Sequence, residues 1–102
     1  MEQKPRDVRL FPDWGHRWPL WEAEPGPDMS PEDYGLSPGL TVRMRRWYDE
    51  WFDHFNPGGG WDDPDLGRAW LAEGGRLAHD LRVELGDGFT VEEGYRYASG
   101  GT

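Results

Sequence analysis

Residues 37–56 read SPGLTVRMRRWYDEWFDHFN, and this stretch decides the fold. Its large apolar side chains recur every three or four positions, the spacing that places side chains on one side of an α-helix. Ser37 followed by Pro38 is typical of a helix start, and Asn56-Pro57-Gly58 is typical of a helix end. The pattern predicts a helix over residues 38–55, with an apolar stripe formed by Leu40, Met44, Trp47, Tyr48, Trp51, Phe52 and Phe55.

A second helix is predicted to begin at Asp63-Pro64, which repeats the same combination of a capping side chain and a proline. Gly74 falls inside its apolar stripe, where a missing side chain would admit a bulky ring from the first helix. Gly74-Gly75 also costs about 2 kcal/mol of helix propensity relative to alanine, so a break in the helix there is the alternative. The stripe consists of Leu66, Trp70, Leu77, Ala78, Leu81 and Leu85, with Leu71 at its edge.

The remaining segments predict little regular structure. Val8 to Phe11 and Phe89 to Val91 have the character of short strands that pair in a two-stranded ribbon. Frequent prolines over residues 12–31 exclude a long helix, so we expect an irregular arm whose apolar residues, among them Trp14, Trp18 and Trp21, fold over the helices. The predicted fold is mainly α with minor β structure, an antiparallel two-helix hairpin wrapped by an aromatic N-terminal arm.

The composition supports one small domain over residues 1–102, with frayed ends at 1–7 and 98–102. Aliphatic residues are scarce and the chain has seven tryptophans, so most indole rings, at about 200 Å² each, must be buried in the core. The chain has no cysteine, which excludes disulfides and thiolate metal sites. The charged first residues do not resemble a signal peptide, and no apolar run suits a membrane span, so we expect a cytoplasmic protein.

Acidic residues dominate the formal net charge of −9. Residues 21–35 contain five acidic and no basic side chains, and residues 57–87 contain seven acidic side chains against three basic ones. Such a field disfavours direct nucleic-acid binding and favours docking to the basic surface of another protein. The predicted partner-binding residues are Glu22, Glu24, Asp28, Glu32, Asp33, Asp62, Asp63 and Asp65.

Catalytic and metal chemistry find little support in the sequence. Glu50 and His54 lie four residues apart and would need Glu73 or Asp80 of the second helix to complete a metal site, while Arg43 nearby would repel a cation. Ser30 and Ser37 are predicted helix caps and Ser99 lies in the tail, and none of them has a histidine within a recognisable catalytic motif. We therefore expect no catalytic residue, no metal and no cofactor.

Four short motifs carry a resemblance to a known group of proteins. They are Trp18-Pro19-Leu20-Trp21, Asp33-Tyr34-Gly35-Leu36-Ser37, Trp47-Tyr48-Asp49-Glu50-Trp51 and Gly60-Trp61-Asp62. In this order the chain resembles small, acidic, tryptophan-rich proteins of actinobacteria over roughly residues 8–95. The resemblance implies one compact domain and leaves the activity open.

Three classes of function remain open. The first is a non-enzymatic module that neutralises or regulates a partner protein, as immunity proteins, antitoxins and inhibitors do. The second is a small-molecule or glycan-binding domain that uses Trp14, Trp18, Trp21 and Trp61 as stacking surfaces, and a structural accessory subunit is a further alternative. The third is a metal-dependent enzyme built on Glu50 and His54. We favour the first.

Overall fold

The computed structural model describes residues 6–22 and 28–98. Strand β1 (Arg6–Leu10) is followed by β2 (Leu20–Glu22), β3 (Asp28–Met29) and a 3-10 helix (Pro31–Tyr34). Helix α1 (Pro38–His54) then leads through β4 (Phe55–Asn56) and β5 (Gly60–Trp61) into α2 (Pro64–Leu85). Strand β6 (Phe89–Glu92) and a second 3-10 helix (Gly94–Ala98) complete the described chain. Arg6, Asp7 and Ala98 therefore lie in regular elements rather than in frayed ends.

Both predicted helices are present, and each begins at the predicted cap. The Ser37 hydroxyl accepts a hydrogen bond from the Leu40 N–H at 3.2 Å, and the Asp63 carboxylate accepts from the N–H groups of Asp65 and Leu66. Helix α1 ends one residue before the prediction, because Phe55 enters β4. Within the described residues, neither helix has the length and apolar character needed to cross a membrane.

The predicted strands at the two ends of the chain pair as expected, but they belong to a larger sheet. Its strand order is β3-β2-β1-β6, with β1 antiparallel to β2 and parallel to β6, where Val8 lies opposite Val91. The arm is therefore not wholly irregular, and the prediction was wrong for residues 20–22 and 28–29. These strands are three and two residues long, too short to produce a recognisable alternation.

The two helices meet at a pair of buried tryptophans. The rings of Trp47 in α1 and Trp70 in α2 are stacked, with centroids 4.2 Å apart and planes 3° apart. The Trp47 Nε1–H donates to the Trp70 carbonyl at 2.9 Å, and the Trp70 Nε1–H donates to the Trp47 carbonyl at 2.8 Å. Each indole therefore buries its apolar surface without leaving its N–H unsatisfied.

Helix α2 runs through Gly74-Gly75 without interruption, so the predicted alternative of a break is wrong. Gly74 does admit a large ring, but the ring belongs to Tyr95 of the second 3-10 helix and not to the first helix. A Cβ atom at Gly74 would lie 2.7 Å from Cε2 of Tyr95, closer than real side chains approach. The Tyr95 ring is fully buried and meets both Trp47 and Trp70 edge-on, so it has no room to move away.

The N-terminal arm covers α1, as predicted. Leu20 is buried in the core, Trp14 packs against Trp51 with ring centroids 4.3 Å apart, and Trp18 lies over the guanidinium of Arg45. Trp21 stacks on Phe11 at 4.8 Å and donates its Nε1–H to the Phe11 carbonyl. The arm is thus held by ring contacts as well as by strand pairing.

Replacement of Gly74 by alanine tests the contact with Tyr95. The clash should outweigh the roughly 1 kcal/mol gain in helix propensity, so we expect Gly74→Ala to lower the free energy of unfolding by about 2 kcal/mol. The matched control is Gly75→Ala, whose Cβ would lie 3.8 Å from the Tyr95 hydroxyl, an ordinary contact, and which should raise stability by up to about 1 kcal/mol. Urea denaturation measures both, and equal stability of the two variants would contradict the assignment.

Candidate functional site

The carboxylate of Glu22, the first of the predicted partner-binding residues, is bound by other side chains of the same chain. Its carboxylate forms a hydrogen-bonded ion pair with Arg6 and accepts a hydrogen bond from the Tyr34 hydroxyl at 2.5 Å. The side chain is only 10% exposed. The bond from Arg6, together with that from Tyr34, holds the pKa of Glu22 below its usual range, while burial and the bond to Glu22 raise the pKa of Tyr34. Glu22 ties β1 and β2 to the first 3-10 helix.

Glu32 and Asp33 of the first acidic cluster are more exposed than Glu22. Glu32 is exposed, and no side-chain partner for it occurs among the described residues. Asp33 is also exposed, but its carboxylate accepts from the Ser30 N–H at 2.8 Å in a capping box of the 3-10 helix. Asp28 lies in β3, paired with Trp21, and Glu24 lies outside the described residues. Glu32 is thus more available to a partner than Glu22 or Asp33.

The second acidic cluster lies at the connection between the helices. Asp63 caps α2, Asp62 lies 3.1 Å from Nδ1 of His54, and Asp65 forms an ion pair with Arg68 one helical turn later. All three aspartates are exposed to solvent. Their partners lie at the surface as well, so a docking protein can compete for Asp62 and Asp65 at little energetic cost.

The two acidic clusters do not form a single patch. The first adjoins the start of α1, where Ser37 hydrogen-bonds Glu84 near the end of α2, and the second adjoins the end of α1 and the start of α2. A helix of 17 residues is about 25 Å long. The predicted residues that the structure describes therefore lie at the two ends of the helix pair.

Three of the four side chains considered for a metal site, all except Glu50, have other partners among the described residues. Arg43 forms ion pairs with both Glu73 and Asp80, at 3.2 and 2.6 Å, and His54 pairs with Asp62. The bonds to Asp80 and Glu73 raise the pKa of Arg43. Within the described part of the chain, no three histidine, cysteine or acidic side chains converge at a spacing that suits a metal ion. The contacts at Glu73 and Asp80 are those of ion pairs that join the helices.

Sequence analysis missed the outer flank of α1 as a candidate surface. Phe52 was predicted to belong to the apolar core stripe, yet 53% of its side chain is exposed. Asp49 and Asp53 lie beside it along the helix, and they also border a surface groove of about 500 Å³ that Trp18 and Val42 help to line. The exposed end of the α1 stripe thus combines an aromatic ring, a side-chain class enriched at protein interfaces, with carboxylates that would attract a basic partner.

The four tryptophans considered as a stacking platform lie in separate contacts. Trp21 stacks on Phe11, Trp18 covers Arg45, Trp14 rests on Trp51, and Trp61 packs against Trp70 and Gly67. Within residues 6–22 and 28–98, the ring contacts found for these tryptophans are with other side chains. This arrangement weighs against a shared groove for a sugar ring.

A comparison with protein families identifies the chain. The model of a family described as Serratia CdiI immunity protein-like matches residues 6–95, from the first residue of β1 to the buried Tyr95. The chain belongs to the Serratia CdiI immunity protein-like family. No curated protein matches it.

Membership of the CdiI immunity protein-like family confirms the predicted class of function, an immunity-like module that neutralises a partner. The match spans all the described elements up to Tyr95, so the tryptophan pair, the sheet and the acidic surface lie inside the family region. The resemblance to tryptophan-rich actinobacterial proteins is not confirmed as a grouping.

The network around Glu22 predicts a loss of stability in acid. The pKa of Glu22 is lower in the folded protein than the ordinary carboxylate value of 4.5. The ionised carboxylate therefore contributes its full stabilisation of the fold above that ordinary value, and this stabilisation is lost as the pH falls through the lower folded pKa. We expect Glu22→Gln to lower the free energy of unfolding at neutral pH by about 1 to 2 kcal/mol. Urea denaturation at a series of pH values should show that the difference in the free energy of unfolding between the parent and Glu22→Gln decreases once the pH falls below the ordinary carboxylate pKa.

The matched control is Glu92→Gln, which removes an exposed ion pair with Arg9. Exposed pairs contribute about 0 to 1 kcal/mol, so this variant should differ little from the parent at any pH. Equal effects of the two substitutions, or a Glu22→Gln deficit that persists unchanged in acid, would contradict the structural role of Glu22.

Proposed function

We propose that the chain is an immunity protein that binds a toxin and blocks it by occupying a basic surface. The family match over residues 6–95 carries this proposal. The net charge of −9 supports it, because an acidic module is attracted to a basic partner and repelled by nucleic acid. The chain acts by binding and not by catalysis, in the cytoplasm of the cell that it protects.

The binding surface lies around the connection between the helices. Asp62 and Asp65 are exposed there, and Glu50 and Asp53 of α1 extend the negative charge along the helix, without ion-pair partners among the described residues. Glu32 lies at the opposite end of the helix pair, outside this surface. Glu22 supports this surface only indirectly, since its carboxylate is held by Arg6 and Tyr34.

The packing of α1 against α2 gives this surface its rigidity. Ion pairs from Arg43 to the second helix and the reciprocal hydrogen bonds of Trp47 and Trp70 fix the helices against each other. A surface that is ordered before binding loses little conformational entropy on association. Carboxylates on such a surface increase the association rate by long-range attraction.

Affinity capture of the tagged chain from a lysate of its own host tests the proposed function. At about 0.05 M salt we expect one basic protein to be retained and to be identified by mass spectrometry, and at about 0.5 M salt its retention should fall at least tenfold, because salt screens the attraction. The captured protein should arrest growth when it is produced alone and not when the chain is co-produced. Absence of any partner, or a partner retained equally at both salt concentrations, would contradict the proposal.

Single charge removals at the two ends of the helix pair test where the partner docks. Asp62→Asn should lower the association rate constant about two- to fivefold at low salt, because its carboxylate lies within the proposed surface. Glu32→Gln removes one charge at the other end and is the matched control, with an expected change below about twofold. Stopped-flow or surface-plasmon measurements with the captured partner distinguish the two. A larger effect of Glu32→Gln would place the interface at the first acidic cluster.

A further inference from the structure

Helix α1 contains one complete arrangement of an arginine, an aromatic ring and an aspartate. Arg45 lies with its Cζ 4.5 Å from the centroid of the Tyr48 ring, and its Nη2 is 3.1 Å from the carboxylate of Asp49. The residues are spaced i, i+3 and i+4, which places them on one flank of the helix. Trp18 of the arm contacts the same guanidinium at 4.9 Å. The cation is thus held by aromatic faces and a carboxylate together.

The same spacing recurs one turn later with the cation missing. Phe52 and Asp53 stand four residues after Tyr48 and Asp49, while the position equivalent to Arg45 is occupied by Asp49. The Phe52 ring is nearly parallel to that of Tyr48, with an interplanar angle of 17° and centroids 6.3 Å apart, and 53% of its side chain is exposed. Within residues 6–22 and 28–98, no ion pair to Asp53 is found. The second arrangement therefore has its ring and its carboxylate but no internal cation.

The electrostatics of this flank favour a cation from outside. Asp49 and Asp53 lie four residues apart, where like charges repel, and both stand in the last half of α1, near the negative end of the helix dipole. Arg45 neutralises Asp49 but not Asp53. An additional positive charge between the Phe52 ring and the Asp53 carboxylate would relieve this repulsion and cover exposed apolar surface.

We infer that an arginine side chain of the partner protein docks on Phe52 and Asp53. Its guanidinium lies on the exposed face of the Phe52 ring and forms an ion pair with the Asp53 carboxylate, as Arg45 does with Tyr48 and Asp49 one turn earlier. Arginine fits better than lysine because its planar guanidinium stacks on a ring and donates to a carboxylate at the same time. This inference rests on the proposed function, in which the partner presents a basic surface.

A peptide titration tests the arginine site without the partner. The probe is acetyl-Gly-Arg-Gly-amide, added to the isotope-labelled full chain and followed by NMR at low salt. We expect saturable shift changes centred on the Phe52 ring and the Asp53 carboxylate, with binding at least twofold weaker for the lysine peptide and no saturation for the neutral citrulline peptide. Equal responses at all exposed carboxylates, or equal binding of the citrulline peptide, would overturn the inference.

Two variants with matched controls sharpen this test. Phe52→Leu keeps an apolar side chain but removes the ring, and Asp53→Asn removes the charge. Each variant should bind the arginine peptide about two- to fivefold more weakly than the parent does. Val83→Ala and Asp87→Asn are the controls, since they are exposed residues at the far end of the molecule, at the end of α2 and before β6. Both controls should bind the peptide as the parent does. If the control variants lost as much affinity for the arginine peptide as Phe52→Leu and Asp53→Asn, the inference would be overturned.

The captured partner provides a second and independent readout. Phe52→Ala should weaken its binding at least tenfold, as aromatic residues at the centre of an interface do, while far-ultraviolet circular dichroism and the urea midpoint stay near the parent values because the side chain is exposed. Undiminished partner binding by Phe52→Ala would overturn the arginine site and leave the proposed function standing. If no partner is captured, the proposed function fails, and the peptide titration still decides the arginine site.

Discussion

The reciprocal pairing of Trp47 and Trp70 is the interaction on which the rest of the structure depends. Each ring is stacked on the other, and each indole N–H donates to the carbonyl of the residue that carries the opposite ring. Apolar stacking alone would allow the helices to slide, whereas the two hydrogen bonds are satisfied in only one register. Tyr95 then closes against both rings and against Gly74, which attaches the end of the chain to the same centre.

This centre determines which surface remains for binding. The inner face of α1 is used entirely by the core, and the arm covers one side of it through Trp14 and Trp18. The exposed side chains of α1 include Val42, Arg46, Asp49, Phe52 and Asp53. A small chain that obtains its core from large aromatic rings can carry many surface carboxylates and still fold. The chain belongs to a family of immunity proteins, and we propose that this acidic surface is where it binds its partner.

The sequence predicted features that depend on local rules. Ser37-Pro38 and Asp63-Pro64 specify helix starts through capping geometry, and the pairing of Val8 with Val91 follows from two short strand-like segments near the ends. Features that depend on distant contacts were missed or misassigned. Nothing local distinguishes Tyr95 from a ring of the first helix as the partner of Gly74, and β2 and β3 are too short to show a period.

The candidate site was only partly predictable for the same reason. Acidic composition indicated a basic partner, but composition does not show that the Glu22 carboxylate is used by Arg6 and Tyr34. Phe52 follows the fully buried Trp51 directly, and a rotation of about 100° along the helix is enough to move it from the core to the edge of the stripe. The repeated spacing of Arg45-Tyr48-Asp49 and Asp49-Phe52-Asp53 was the sequence signal that could have identified this flank.

A double-mutant cycle on the tryptophan pair tests the central claim most directly. Trp47→Phe, Trp70→Phe and the double variant are compared by urea denaturation, with Trp51→Phe as a control, because the buried Nε1 of Trp51 has no hydrogen-bond partner in the described structure. If the two indoles act as one unit, the double variant should lose less free energy of unfolding than the two single variants lose together, by at least about 1 kcal/mol. Each single variant should also lose more free energy of unfolding than Trp51→Phe. Additive losses within about 0.3 kcal/mol, equal to that of the control, would contradict this account.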